Sequence, residues 1–185
     1  MGTQREALPL LSSGGTTPRT PRCTPDGKNR QCIGRAEGFP LYAKIPNMLL
    51  TIDHVGIACR SLDAAIERYM AVFGLTVVSQ ETNAEQGVRE AMLATESGSS
   101  YVQLLEPLAP DTPVGRFLER RGEGVHHVGY GVADITAALA EIGATGVRLI
   151  DSRPRHGSMG ASIAFLHPAD LGGVLTELVQ AAPRE

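Results

Sequence analysis

The sequence predicts an α+β fold in which two copies of a strand, a helix and three further strands pack against each other. Three observations carry that expectation. Residues 48–185 break into short apolar runs separated by glycine, proline and helix-capping residues. The segment His54-Val55-Gly56-Ile57, with Leu62 and Ala64-Ala65-Ile66 behind it, returns 73 residues later as His127-Val128-Gly129-Tyr130, with Ile135 and Ala137-Ala138-Leu139. Each copy is too short to bury a core by itself, so the two must share one.

The elements follow in order. Leu50–Cys59 reads as a buried strand, and Ser61 caps a helix running to about Phe73, where Gly74 stops it. Strands are expected near Thr76–Gln80, Val88–Ala94 and Ser100–Leu105. Asp111-Thr112-Pro113 opens a short helix to about Arg121, with proline in the first turn. The second copy then gives a strand over Val125–Val132, a helix from Asp134 to about Ile142, and strands near Val147–Ile150, Ser162–Leu166 and Gly173–Val179. The copies span about 48–121 and 122–181, and Met48 is a natural start for the folded part. Residues 1–47 are rich in turn formers and lack an apolar period, so a disordered leader or extended start is expected there.

Charge and composition exclude several classes of function. Residues 1–47 carry a net charge of +4, leaving −7 on residues 48–185, a poor surface for nucleic acid. With no tryptophan, four phenylalanines and four tyrosines, stacking platforms for single strands are scarce as well. No apolar run is long enough to span a bilayer, so no membrane partner is expected. Three cysteines make no paired framework for a secreted fold, in line with an expected cytoplasmic location.

The repeat also pairs chemistry. His54 matches His127, and near the end of each copy Gln103 matches Glu177 at an offset of 74. All four sit in otherwise apolar strands, where an unpartnered polar group costs about 1–3 kcal/mol. Two-fold pseudo-symmetry brings the first and last strands of both copies around one pocket. Two imidazoles, a carboxylate and an amide then suit a divalent metal with open positions. Gly56 and Gly129 lie two residues beyond each histidine on the same strand face, leaving room for a ligand. His126 points to the opposite face from His127, so only one of them can ligate. Glu90 shares a strand face with Val88 and Met92. There it is either a carboxylate of raised pKa suited to proton transfer or a glutamate paired with a neighbouring strand.

These segments resemble a known family. Ile52-Asp53-His54-Val55-Gly56-Ile57-Ala58, Glu85-Gln86-Gly87-Val88-Arg89-Glu90, Gln103-Leu104-Leu105-Glu106-Pro107, His126-His127-Val128, Phe165-Leu166-His167-Pro168 and Gly173-Val174-Leu175-Thr176-Glu177-Leu178 follow the order and spacing of the methylmalonyl-CoA epimerases, within the vicinal oxygen chelate superfamily. The resemblance covers about residues 48–181. It implies paired βαβββ modules forming a curved, cup-like mixed sheet around a metal site. It also implies metal ligands at His54, Gln103, His127 and Glu177, with Co2+ as the expected ion and Mn2+, Ni2+ or Zn2+ as alternatives. An acyl-CoA thioester substrate and a homodimer are implied in the same way.

The expected reaction interconverts (2R)- and (2S)-methylmalonyl-CoA through a metal-stabilised enolate. The resemblance places the base at Glu90, and Glu177 or a water serves the opposite face. One carboxylate and three neutral ligands leave a divalent site at about +1, which favours an anionic substrate. The Arg153–Gly160 segment is a basic loop that either closes over the pocket or stays solvated. A ferrous extradiol dioxygenase would use His54, His127 and Glu177 alone, and Gln103 in a fourth position counts against it. A glyoxalase I-like lyase calls for two carboxylate ligands, with which Gln103 again disagrees. A binding protein of this fold would need neither the ligand set nor Glu90.

Overall fold

The structure is a computed structural model, and it describes residues 48–98 and 100–183; the leader expected over 1–47 lies outside the described residues. The strands are β1 (Leu49–Ala58), β2 (Thr76–Asn83), β3 (Val88–Ala94), β4 (Tyr101–Pro107), β5 (Gly124–Val132), β6 (Arg155–His156), β7 (Ser162–Leu166) and β8 (Thr176–Gln180). The helices are α1 (Leu62–Phe73), α2 (Pro113–Arg121) and α3 (Ile135–Ala144). One mixed sheet joins all eight strands in the order β2-β3-β4-β1-β5-β8-β7-β6, the same order read outward from the centre on both sides. At that centre β1 pairs antiparallel with β5, while β1–β4 and β5–β8 are parallel. The α+β class and the paired modules expected from the sequence are thus the observed architecture.

Capping chemistry sets the helix ends. Ser61 accepts from the Ala64 N–H at 3.4 Å, and Asp134, its counterpart 73 residues on, accepts from the Ala137 N–H at 2.9 Å. Gly74 stops α1 in the left-handed conformation, at φ 67°.

Both long helices lie on the outer face of the sheet, and their cores repeat residue for residue. Cys59, Leu62, Ala65, Ala91, Leu93 and Leu104 bury together under α1. Val132, Ile135, Ala138, Ala164, Leu166 and Leu178 do the same under α3. α2 packs Val114 and Leu118 on Ala58, Val88 and Leu105, and so fills one end of the inner face. At the equivalent place beyond β8, Ala161, Ile163, Phe165 and Val179 form their own cluster.

One expected strand is absent. Residues 147–150 make only an isolated bridge, Leu149 to Leu166. The N–H groups of Ile150 and Asp151 both bond to the Phe165 carbonyl, at 2.9 and 3.1 Å. The Asp151 carboxylate in turn accepts the Phe165 N–H at 2.9 Å. A side chain has taken over the ladder there, and regular pairing resumes only at the two-residue β6.

Candidate metal centre

Sheet register places the polar residues in two rows. Gly56 on β1 stands opposite Gln103 of β4 on one side and His127 of β5 on the other. Gly129 on β5 stands opposite His54 of β1 and Glu177 of β8. The two rows are the repeat made visible. They explain the glycines differently from the expectation that these leave room for a ligand. A Cβ on Gly56 would sit inside the His127 imidazole, 2.7 Å from its Nε2, and a Cβ on Gly129 inside the His54 ring, 2.8 Å from its Nε2. Each glycine makes room for the histidine of the other repeat.

His54, His127 and Glu177 are all buried. His54 Nε2 lies 2.9 Å from His127 Nε2 and 2.9 Å from Glu177 Oε2, and His127 Nε2 lies 3.4 Å from the same oxygen. Ligand atoms about 2.1 Å from an ion and at right angles to one another stand about 3 Å apart, so this trio fits a divalent cation. Gln103 offers a candidate fourth donor on the same cavity wall. Its Nε2 donates to Glu90 Oε2 at 2.7 Å and to Ser158 Oγ at 2.9 Å, whereas its buried carbonyl Oε1 has no hydrogen-bond partner. A carbonyl oxygen left bare beside two imidazoles and a carboxylate is suited to a cation.

A second ring of contacts orients the imidazoles. His54 Nδ1 pairs with Asp53 Oδ1 at 2.9 Å, and His127 Nδ1 shares a 3.0 Å hydrogen bond with His126 Nδ1. These fix which ring nitrogen faces the cup. The expected alternation of His126 and His127 breaks here, because β5 bulges against β1 at His126; its ring supports His127 directly, with Phe117 of α2 packed edge-on against it at 5.1 Å.

Protonation follows the same contacts. Burial alone would lower the His54 pKa, but Asp53 and Glu177 together raise it to about 9. Burial would raise the Glu177 carboxyl, yet the two imidazoles hold it down at about 2. Burial and the neighbouring His127 take His126 to about 4. Glu90 is raised above the usual carboxylate range, chiefly by burial, against the hydrogen bonds of Ser158 and Gln103.

Glu90 is 1% exposed, and its Oε1 has no hydrogen-bond partner. The position equivalent to it in the second repeat, 73 residues later, is Ile163. The site is therefore symmetric in its donors and asymmetric in its carboxylate. A cavity of about 560 Å³ opens over His54, Gln103 and Glu177, with Met92, Ser158 and Ile163 in its walls. That volume suits the acyl end of a small-molecule ligand.

The sequence reading missed Asp53 and Ser158. Asp53 carries a signal, since a carboxylate directly before a strand histidine is well placed to orient it. Ser158 belongs to the basic loop and has no counterpart in the first repeat to flag it. That loop contains β6 and a 3₁₀ turn over Ser158–Gly160, and Ser158 and Met159 both line the cavity.

Comparisons with known proteins agree on the family. A family model for the glyoxalase/bleomycin resistance protein/dioxygenase superfamily matches residues 53–165. A Streptomyces coelicolor methylmalonyl-CoA epimerase variant, in complex with 2-nitronate-propionyl-CoA, is 53% identical, with a TM-score of 0.70 over 73% of this chain and 99% of that one. A methylmalonyl-CoA epimerase in complex with methylmalonyl-CoA and NH4+ is 54% identical, with a TM-score of 0.70 over 74% and 98%. An ethylmalonyl-CoA/methylmalonyl-CoA epimerase of Cereibacter sphaeroides is 34% identical over 72% of this chain and 99% of its own.

Proposed function

Because the chain belongs to the methylmalonyl-CoA epimerases, isomerases of the glyoxalase/bleomycin resistance protein/dioxygenase superfamily, we propose that it interconverts the 2R and 2S epimers of methylmalonyl-CoA at a divalent metal site. The observation that carries this reading is the pairing of a two-histidine, one-carboxylate, one-amide donor set with a buried, partly unpartnered Glu90 that its repeat lacks.

In this reading His54, His127, Glu177 and the Gln103 carbonyl hold the ion. When bound, the ion supplies a Lewis acid for the thioester oxygen as negative charge grows there. Glu90 takes the proton from C2, and the electron pair left behind spreads onto that oxygen. Burial raises the Glu90 pKa above the ordinary carboxylate range, which makes it a stronger base than an exposed glutamate. Gln103 connects the two functions, because the amide that turns its carbonyl to the cup donates its N–H group to Glu90. The proton returned to the opposite face comes from the Glu177 side. Glu177 serves that face either with its own carboxylate or through a water that it orients. Ile163 at the position equivalent to Glu90 leaves that wall without a second base.

Cobalt is the first ion to load, with manganese, nickel and zinc as the comparison set. Methylmalonyl and ethylmalonyl thioesters differ by one methylene, worth about 1–3 kcal/mol in a pocket, so both are substrates to test. The reading includes a homodimer, checked by sedimentation. The functional test is a stereospecific assay on resolved epimers with cobalt-loaded protein. Conversion of either epimer to the equilibrium mixture supports the proposal. Unchanged epimers with metal bound contradict it.

A further inference from the structure

We propose that Glu81 is a positioning residue for this reaction: its carboxylate ties the Ser158 turn across the cup and thereby holds the Gln103 amide against Glu90. The inference rests on the epimerase reading and extends it to a residue outside the donor set and the base.

Glu81 lies on the edge strand β2, directly opposite Glu90 on β3. Two carboxylates facing each other across a strand pair are destabilising unless one is engaged elsewhere. Glu81 is engaged: its Oε1 accepts the Met159 N–H at 2.9 Å, a contact between opposite ends of the sheet. Met159 needs such a tie. With φ 55° it is the one non-glycine residue of positive φ among the described residues, a conformation disfavoured for a residue with a side chain. The anchored N–H belongs to the peptide that follows Ser158, so fixing it fixes the serine. Ser158 Oγ accepts one hydrogen of the Gln103 amide at 2.9 Å, and Glu90 Oε2 accepts from the same nitrogen at 2.7 Å. Glu81 thus reaches the base through a turn, a hydroxyl and an amide, and the ionised Glu90 carboxylate, which can only accept, sets which end of that amide faces the cup.

The pseudo-symmetry supports a role tied to the base. In the second repeat the residue opposite Ile163 is Arg155, where the first repeat has Glu81 opposite Glu90. Arg155 instead pairs with Asp151 of its own repeat, at 3.1 Å. Among the described residues, base and tie occur in the first repeat, and their equivalents in the second are Ile163 and Arg155.

The test compares Glu81→Ala and Glu81→Gln with the wild type and with Ser158→Ala, using cobalt-loaded full-length protein. Glu81→Ala is expected to lower kcat by about 10- to 100-fold with KM within about twofold, the scale of a misplaced catalytic contact. Glu81→Gln keeps an oxygen acceptor for the Met159 N–H and is expected to recover most of that loss. In a Ser158→Ala background, Glu81→Ala adds nothing, because it acts through the serine. Independently of activity, hydrogen exchange at the Met159 amide is expected to accelerate in Glu81→Ala and to stay slow in Glu81→Gln. Several outcomes overturn the inference: an unaffected Glu81→Ala, multiplicative losses in the double variant, a glutamine variant as impaired as the alanine one, or loss of activity through unfolding. A wild type that leaves both epimers unchanged removes the epimerase reading, and this inference with it. An active wild type beside an equally active Glu81→Ala removes the inference alone.

Discussion

At Gly129 the missing side chain is the functional feature: a Cβ there meets the His54 ring, as a Cβ on Gly56 meets His127. Gly129→Ala should therefore displace one imidazole while leaving the outer core untouched. Cobalt affinity, measured by calorimetry, is expected to fall at least about tenfold, with a folded far-ultraviolet spectrum. Glu90→Gln makes the opposite separation, keeping cobalt binding but lowering turnover by about 10²–10⁴-fold. A third residue gives a pH prediction. Burial raises the Cys59 thiol to about 11 from an ordinary 9. In the unfolded chain the thiol ionises first, so its contribution to stability is whole below pH 9 and is lost between 9 and 11. Melting temperature in that interval should fall less steeply in Cys59→Ala than in wild type. Native protein at pH 7 should also leave Cys59 unalkylated, as mass spectrometry of the peptide would show.

At the scale of elements, the repeat made much of the fold legible before any coordinates. α1 runs as expected because cap, apolar period and terminating glycine agree there, and β3 and β7 because each is a short apolar run of strand length. The expectation over 147–150 failed because Asp151 offers the Phe165 N–H a side-chain acceptor, which competes with the ladder in a way apolar periodicity does not register. The room at Gly56 and Gly129 was legible, but its occupant was not, since cross-strand register is a tertiary fact. Ser158 was invisible for a related reason: it reaches Gln103 from 55 residues away, on a turn with no repeat partner. The paired caps allow a graded test. Asp134→Ala, which removes a 2.9 Å bond, should cost about 1 kcal/mol in chemical denaturation; Ser61→Ala, which removes one of 3.4 Å, should cost less.

Across the whole molecule, the centre of the sheet is where the two repeats meet and where their polar residues meet too. β1 and β5 contribute a histidine each, and β4 and β8 contribute the amide and the carboxylate. Fold and site are coupled by that geometry. Loading metal to about 100 times its Kd should stabilise the chain by about 2.7 kcal/mol, and a chelator should reverse the accompanying rise in melting temperature. No helix among the described residues is long and apolar enough to cross a membrane. The central claim is that Glu90 exchanges the C2 proton of an acyl-CoA held at this metal site. Proton nuclear magnetic resonance of one methylmalonyl-CoA epimer in heavy water, with the cobalt-loaded protein, tests it most directly. Deuterium entering C2 with loss of configuration, and neither occurring with Glu90→Gln, is the predicted result. Undiminished exchange in Glu90→Gln, or none in wild type with cobalt bound, would contradict it.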